Sequence, residues 1–233
     1  QSSIEKCGSH MCLGIDLHLE NLPSFFKHDA EQEGMYRFCK KIIEVALRVA
    51  RGRVPVVKFQ SSFFECLGWE GTKLLQESCQ EASKSDLLVI LDMKRSDISS
   101  TMKAYGQAAF NYMGADALTV TPYFGTDVLE PLSPWLKKGQ AVYVVLMSSN
   151  ASSYDMQVAQ KIGRYDHLSH YITDCFTKAS RQWGVEKSLG YVVGANHFKE
   201  EGLKIPEAAW QHPLLIPGLG AQGNSLSDSL KKQ

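Results

Sequence analysis

The sequence lacks an excess of charge of either sign: 25 lysines and arginines stand against 25 aspartates and glutamates in 233 residues. Without net charge it offers no basic field for nucleic acid and no polybasic segment for an anionic membrane. It has no apolar run near the ~18–20 residues that a bilayer-spanning helix needs, and no signal peptide is expected at its start. Its six cysteines (Cys7, Cys12, Cys39, Cys66, Cys79 and Cys175) form no CxxC pair and no Cys/His metal spacing. Most lie in apolar surroundings, as buried thiols do, and reduced thiols point to the cytosol. Linker signals and low-complexity tracts are missing as well, so one domain is expected over residues 1–233.

What is present is an alternation of short apolar runs and longer amphipathic ones. Strands are expected at Met11–Asp16, Val54–Gln60, Leu87–Lys94, Ala117–Thr121, Ala141–Leu146, Leu189–Val193 and Leu214–Pro217. The first helix is expected over Asp29–Arg51, with Met35, Phe38, Ile42, Val45 and Val49 at helical spacing. Others are expected through Leu74, Leu75 and Cys79, over Ser99–Met113, over Val128–Lys138 broken up by Pro131 and Pro134, and over His167–Trp183. Shorter ones are expected in Glu200–Trp210 and from Ser225. Near-continuous apolar strands imply a parallel sheet covered on both faces. Seven such β/α units suit a (β/α)8 TIM-type barrel better than an open doubly wound sheet. Closing that barrel takes an eighth strand, and the eighth unit is expected to be missing from this chain. The polar loop Ser148–Gln157 reads as a mobile lid.

Charge is concentrated at strand ends. Residues i and i+2 of a strand face one side, so Asp92 and Lys94 are expected to project together, after Leu88–Leu91, from the carboxyl end of the third strand. Barrel enzymes hold their chemistry at that end. Asp97 follows in the loop, and Lys58, at the end of the second strand, is expected beside them. Two carboxylates and two ammoniums in a low-dielectric mouth compensate one another while their geometry holds. Such a set can press fixed negative charge against a substrate carboxylate and keep a proton donor beside it. It also reads as a structural salt-bridge cluster. A Schiff-base lysine is a further alternative, although two neighbouring aspartates oppose the neutral amine it needs. After the seventh strand, Pro217-Gly218-Leu219-Gly220-Ala221-Gln222-Gly223 is either a plain tight turn or a phosphate cradle, with Gln222 as an amide donor.

Taken together, these segments make the chain resemble the orotidine 5′-phosphate decarboxylases, from Leu13 to the C-terminus, and in particular the longer-loop branch of that family. The resemblance is carried by LGID at Leu13–Asp16, VKFQSSFFE at Val57–Glu65, LDMKRSDISST at Leu91–Thr101, TVTPYFGTD at Thr119–Asp127, VVGAN at Val192–Asn196 and IPGLGAQG at Ile216–Gly223. It implies decarboxylation of orotidine 5′-phosphate to uridine 5′-phosphate, with no metal and no organic cofactor. Lys58, Asp92, Lys94 and Asp97 would form a Lys–Asp–Lys–Asp tetrad. In it Lys94 protonates C6, Asp92 crowds the substrate carboxylate, and Lys58 and Asp97 hold the array and contact ribose. Asp97, Ile98 and Thr101 would reach the neighbouring subunit's site in a homodimer.

Asp16 would bind a ribose hydroxyl, and otherwise reads as a strand-end cap. Ser149 would bond the pyrimidine, with Ser148 as the alternative if the loop shifts by one. Pro217 would line the pocket and Gln222 would hold the phosphate. The chain departs from the pattern at Asp16-Leu17-His18, where Asp-Pro is usual, and at Ala151, where proline follows the lid asparagine. It departs again at Ser99-Ser100, where glycine is common, and in having no counterpart to the family's phosphate-gripping arginine. Two rival readings stay open: a magnesium-dependent sugar-phosphate lyase or decarboxylase of the same suprafamily, and a non-catalytic nucleotide-phosphate-binding domain.

Overall fold

Parallel strands covered on both faces need apolar side chains at consecutive positions, and the computed structural model buries Val89, Ile90, Leu91 and Asp92 in succession along one strand. It describes residues 2–18, 24, 34–158, 161–198 and 205–218. The strands are β1 (Cys12–Ile15), β2 (Val56–Gln60), β3 (Leu88–Asp92), β4 (Ala117–Val120), β5 (Ala141–Met147), β6 (Leu189–Val193) and β7 (Leu214–Leu215). They follow one another along the sheet in chain order. The registered pairs β1/β2, β2/β3, β3/β4, β5/β6 and β6/β7 are all parallel. Helical segments between parallel strands in chain order are the connections of an α/β barrel. Seven strands are found among the described residues, and the helix expected from Ser225 lies outside them. By contacts the chain divides into two compact units, Gln1–Met93 with Gln107–Leu118, and Lys94–Gly106 with Thr119–Gln233.

The first unit holds α1 (Ser2–Cys7), which the hydrophobic pattern does not announce, then α2 (Met35–Ala50), α3 (Ser62–Glu65) and α4 (Gly68–Lys84). On α2 the buried stripe is Phe38, Cys39, Ile43, Leu47 and Ala50. Met35, Val45 and Val49, expected on the apolar face, are exposed. The helix carries apolar residues around more than one side, so periodicity alone left the packed side open. The stripe through Ile43 and Leu47 is the buried one, with Leu74, Ser78 and Glu77 of α4 beside it, and Lys40 Nζ reaches Glu77 Oε2 at 2.7 Å. The β3/β4 register is clamped by Asp116: its N–H donates to Val89 O at 2.9 Å, and its Oδ2 accepts the Val89 N–H at 2.8 Å. Burial raises the Asp116 carboxyl above its ordinary pKa, opposed by that same Val89 bond.

In the second unit, α5 (Ser99–Gly106) is the start of the helix expected over Ser99–Met113; the remainder, a π-helical stretch at Gln107–Tyr112, belongs to the first unit. Gly106 lets α5 approach α6 (Leu129–Leu136): a Cβ there would lie 2.7 Å from Leu132 Cδ2 and 2.9 Å from Trp135 Cζ3. The prolines do not interrupt α6 as expected. Pro131 stands in its first turn, where the missing N–H has no intrahelical acceptor, and Pro134 lies on its exposed side. α7 (Leu168–Trp183) ends at Gly184 in the left-handed cap conformation, φ 65° and ψ 42°. The helix expected in Glu200–Trp210 is a 3-10 turn at Glu207–Gln211, with residues 199–204 outside the description.

All six cysteines are free thiols. Only Cys39 and Cys79 are fully buried, and Cys66 is exposed, so the expectation of mostly buried thiols is too broad. Among the described residues no helix is long and apolar enough to cross a membrane.

One glycine gives a test of packing. A Cβ on Gly71 of α4 would overlap the Phe64 carbonyl oxygen and lie 2.7 Å from Leu67 Cβ. In an open helix Gly→Ala stabilises by about 1 kcal/mol. At this position the overlap should reverse the sign, and Gly71→Ala should cost about 1–3 kcal/mol. Urea unfolding checks this: the midpoint should fall, and a midpoint equal to or above that of the parent chain would contradict the packing.

Candidate active site

In the first unit, the parallel register sets Gly14 of β1 opposite Lys58 of β2, and Gln60 of β2 opposite Asp92 of β3. Lys58 and Gln60 therefore share a face. The Lys58 ammonium lies 3.0 Å from Asp92 Oδ2 and 3.8 Å from Asp16 Oδ1. The side chains of Lys58 and Asp92 are only 13% and 8% exposed, while that of Asp16 is 42% exposed. Gln60 Nε2 makes a longer contact, 3.4 Å, to the same Asp92 oxygen, and the Ser61 N–H holds the Asp92 carbonyl at 3.1 Å. Two residues before Gly14, Cys12 is driven up to a pKa of about 11 by burial, with Lys58 lowering it and Asp92 raising it. Lys58 and Asp92 themselves are both largely buried. Removing one partner of such a buried pair strands the other charge, at a cost of about 3–5 kcal/mol. His18, expected at the surface, is exposed and packs its ring on Phe63, with centroids 4.3 Å apart.

In the second unit the chain does not continue as strand. β3 ends at Asp92, and Lys94 has φ 49°. Alternation along a strand therefore does not place Lys94, which corrects the expectation from its i, i+2 spacing to Asp92. The Lys94 N–H donates to Thr119 Oγ1 at 2.9 Å, and Ser96 Oγ donates to Thr121 O. Asp97 Oδ1 accepts the Ile98 N–H at 2.7 Å, and Ser99 is left-handed again, with φ 48°. Ile98 and Thr101 are both exposed.

The Ser148–Gln157 segment, also in this unit, is tied to itself. Gln157 Oε1 accepts the Ser148 N–H at 2.7 Å, and its Nε2 donates to Ser148 Oγ at 2.8 Å. The Ser148 hydroxyl also bonds Asn150 Oδ1 at 2.7 Å, whereas the Ser149 side chain is exposed. Buried His197 sets its Nε2 2.7 Å from Ser148 O. The Pro217 carbonyl accepts the Ala195 N–H at 2.9 Å, while Gln222 lies outside the described residues. Thr119, Gln157 and His197 escaped the reading of the sequence. For Thr119 a signal existed, since Thr119 and Thr121 alternate at the end of an apolar strand. For Gln157 and His197 there was none, because their partners are main-chain or loop groups that no pattern identifies.

The family model described as "Orotidine 5'-phosphate decarboxylase / HUMPS family" matches residues 9–232. An orotidine 5′-phosphate decarboxylase of Clostridium acetobutylicum is 33% identical over 97% of this chain and 79% of its own length. Among solved structures, the UMP synthase of Leishmania donovani is 28% identical with a TM-score of 0.79. The match covers 98% of this chain but only 46% of that one, so the chain spans about half of the Leishmania protein. The orotidine 5′-monophosphate decarboxylase of Plasmodium berghei is similar in fold, with a TM-score of 0.85 at 18% identity over 98% of this chain and 84% of its own. On the extent of the family match and the identity to the clostridial relative, the chain belongs to the orotidine 5′-phosphate decarboxylase / HUMPS family.

Proposed function

We propose that the chain decarboxylates orotidine 5′-phosphate to uridine 5′-phosphate, as one catalytic domain over residues 1–233 acting as a homodimer in the cytosol. The observation that carries this reading is the buried Lys58–Asp92 pair, 3.0 Å apart, in a chain matched by the family model from residue 9 to 232. Lys58, Asp92, Lys94 and Asp97 act as the charge array. Asp92 sets its carboxylate against the substrate carboxylate. As the C6–carboxylate bond breaks, carbon dioxide leaves, the electron pair stays on C6, and Lys94 Nζ delivers a proton there. An array built before the substrate arrives stabilises charge developing at C6 without reorganising. Asp16 meets a ribose hydroxyl, Ser149 the pyrimidine, Pro217 the pocket wall and Gln222 the phosphate. Asp97, Ile98 and Thr101 serve the partner subunit's site; the exposure of Ile98 and Thr101 supports this. Contacts to ribose and phosphate position the ring. Neither a metal nor an organic cofactor takes part.

Three measurements test the reading. Absorbance assays with orotidine 5′-phosphate should show turnover that a chelator leaves unchanged; activity lost with chelator and restored by magnesium would instead favour a magnesium-dependent relative. Lys94→Ala should lower kcat by at least about 100-fold, the scale of a lost general acid, while uridine 5′-phosphate still binds. Near-parent turnover in that variant would sink the proton-donor role. Mixing inactive Asp97→Asn and Lys94→Ala chains should restore part of the activity, because one hybrid site holds both intact residues. No recovery after verified subunit exchange would count against an Asp97 shared between subunits.

A further inference from the structure

The segment after β3 is held in a conformation that its own residues do not favour. Lys94 and Ser99 both have positive φ, 49° and 48°, and they bracket Arg95–Ile98. Neither is glycine, and lysine has no short polar side chain to stabilise a left-handed backbone locally, as asparagine or aspartate does. Such residues persist only where their surroundings over-determine them. Here β4 and the residue after it supply the surroundings. Thr119 and Thr121, two apart, take the Lys94 N–H and the Ser96 hydroxyl respectively.

Thr119 is fully buried among Ala117, Leu118 and Val120, where valine would fill the same space without a polar atom. A buried hydroxyl in such a place needs a partner, and the Lys94 N–H is one, at 2.9 Å. Branching at Cβ restricts the threonine rotamer and so fixes where the acceptor oxygen stands. We propose that Thr119 is a positioning residue: its hydroxyl, by accepting the Lys94 N–H, holds the Lys94 backbone left-handed and thereby aims the Lys94 ammonium. This rests on Lys94 being the proton donor. With β3 ended at Asp92, the direction of the Lys94 side chain depends on this backbone torsion. An ammonium sits roughly 6 Å from its Cα, so a rotation of about 20° displaces it about 2 Å, and errors near 1 Å cost on the order of 100-fold in rate.

The test compares Thr119→Val with Thr119→Ser, reading kcat, KM, uridine 5′-phosphate affinity and Tm. Thr119→Val should lose about 100-fold in kcat, with KM and product affinity within about 3-fold, while Thr119→Ser keeps kcat within about 5-fold of the parent. A folded Thr119→Val chain with parent kcat overturns the proposal. So does equal damage in both variants, or loss of kcat and product affinity together, either of which marks a general structural role. Should Thr119→Val not fold, amide exchange in the parent chain decides: the Lys94 N–H should be protected, and rapid exchange there overturns the anchor. A parent chain that does not turn over orotidine 5′-phosphate overturns the proton-donor reading instead, and the same amide measurement then decides the anchor alone.

Discussion

Lys58 carries an ammonium to the interior face of a parallel sheet, and the site in the first unit depends on how that charge is met. Desolvation of an isolated ammonium costs several kcal/mol even after the protein relaxes. Asp92 meets it at 3.0 Å from the neighbouring strand, and the half-exposed Asp16 stands 3.8 Å away on the other side. The match needs register more than sequence proximity: β1, β2 and β3 must align so that Gly14, Lys58 and Ile90 come level. A slip of one residue would turn Lys58 toward the helices and leave Asp92 facing apolar neighbours. The Asp116 clamp on Val89 works in the same direction, tying β3 to the start of β4 through side-chain and main-chain bonds at once. Stability and site geometry are therefore set by the same constraint.

Beyond Asp92 the constraint changes character. A strand end is rigid because its main-chain groups are paired along the sheet, and that pairing stops where β3 stops. The next residues are held by side-chain hydroxyls and carboxylates instead: Thr119 on the Lys94 N–H, Ser96 on Thr121 O, Asp97 on the Ile98 N–H. Side-chain acceptors can hold torsions that sheet pairing would not permit, including two left-handed residues within six positions. Strain of this kind tends to gather at functional sites.

Much of the fold was legible because long apolar runs allow few alternatives. Leu189–Val193 was placed to the residue, and each of the other strands to within a few residues at either end. The parallel class followed from the lack of alternation in those runs. The failures share a cause, which is that they turn on three-dimensional choices between locally equivalent options. On α2 more than one apolar stripe was available, and packing buried the one through Ile43 and Leu47. On α6, Pro131 falls in the first turn, where its missing N–H forfeits no intrahelical bond, and the helix runs on through Pro134, which lies on its exposed side. For the site, Lys58 and Asp92 were legible as neighbouring strand-end charges and do meet, while Asp16, named through the family resemblance and otherwise as a strand-end cap, also stands 3.8 Å from the Lys58 ammonium. Lys94 was named from its neighbours in sequence, but the reason for its placement was not visible, since nothing in the residues Asp92-Met93-Lys94 signals a positive φ.

The Ser148–Gln157 segment shows how a loop that reads as mobile can be fixed at its root. Its polar composition suggested a lid because such residues cannot build a core. The same composition supplies donors and acceptors, and Gln157 uses both ends of its amide on Ser148. From below, the His197 nitrogen facing Ser148 O must carry the proton, because a carbonyl only accepts. Gly194 also approaches closely, since a Cβ there would stand 2.9 Å from Ser149 Cα and 3.0 Å from Ser149 N. Gln157 and His197 thus hold the main chain at Ser148, while the Ser149 side chain stays exposed. A hydroxyl presented from a fixed backbone loses little freedom when it meets a ligand, which is the condition for a polar contact to orient a substrate rather than merely attract it.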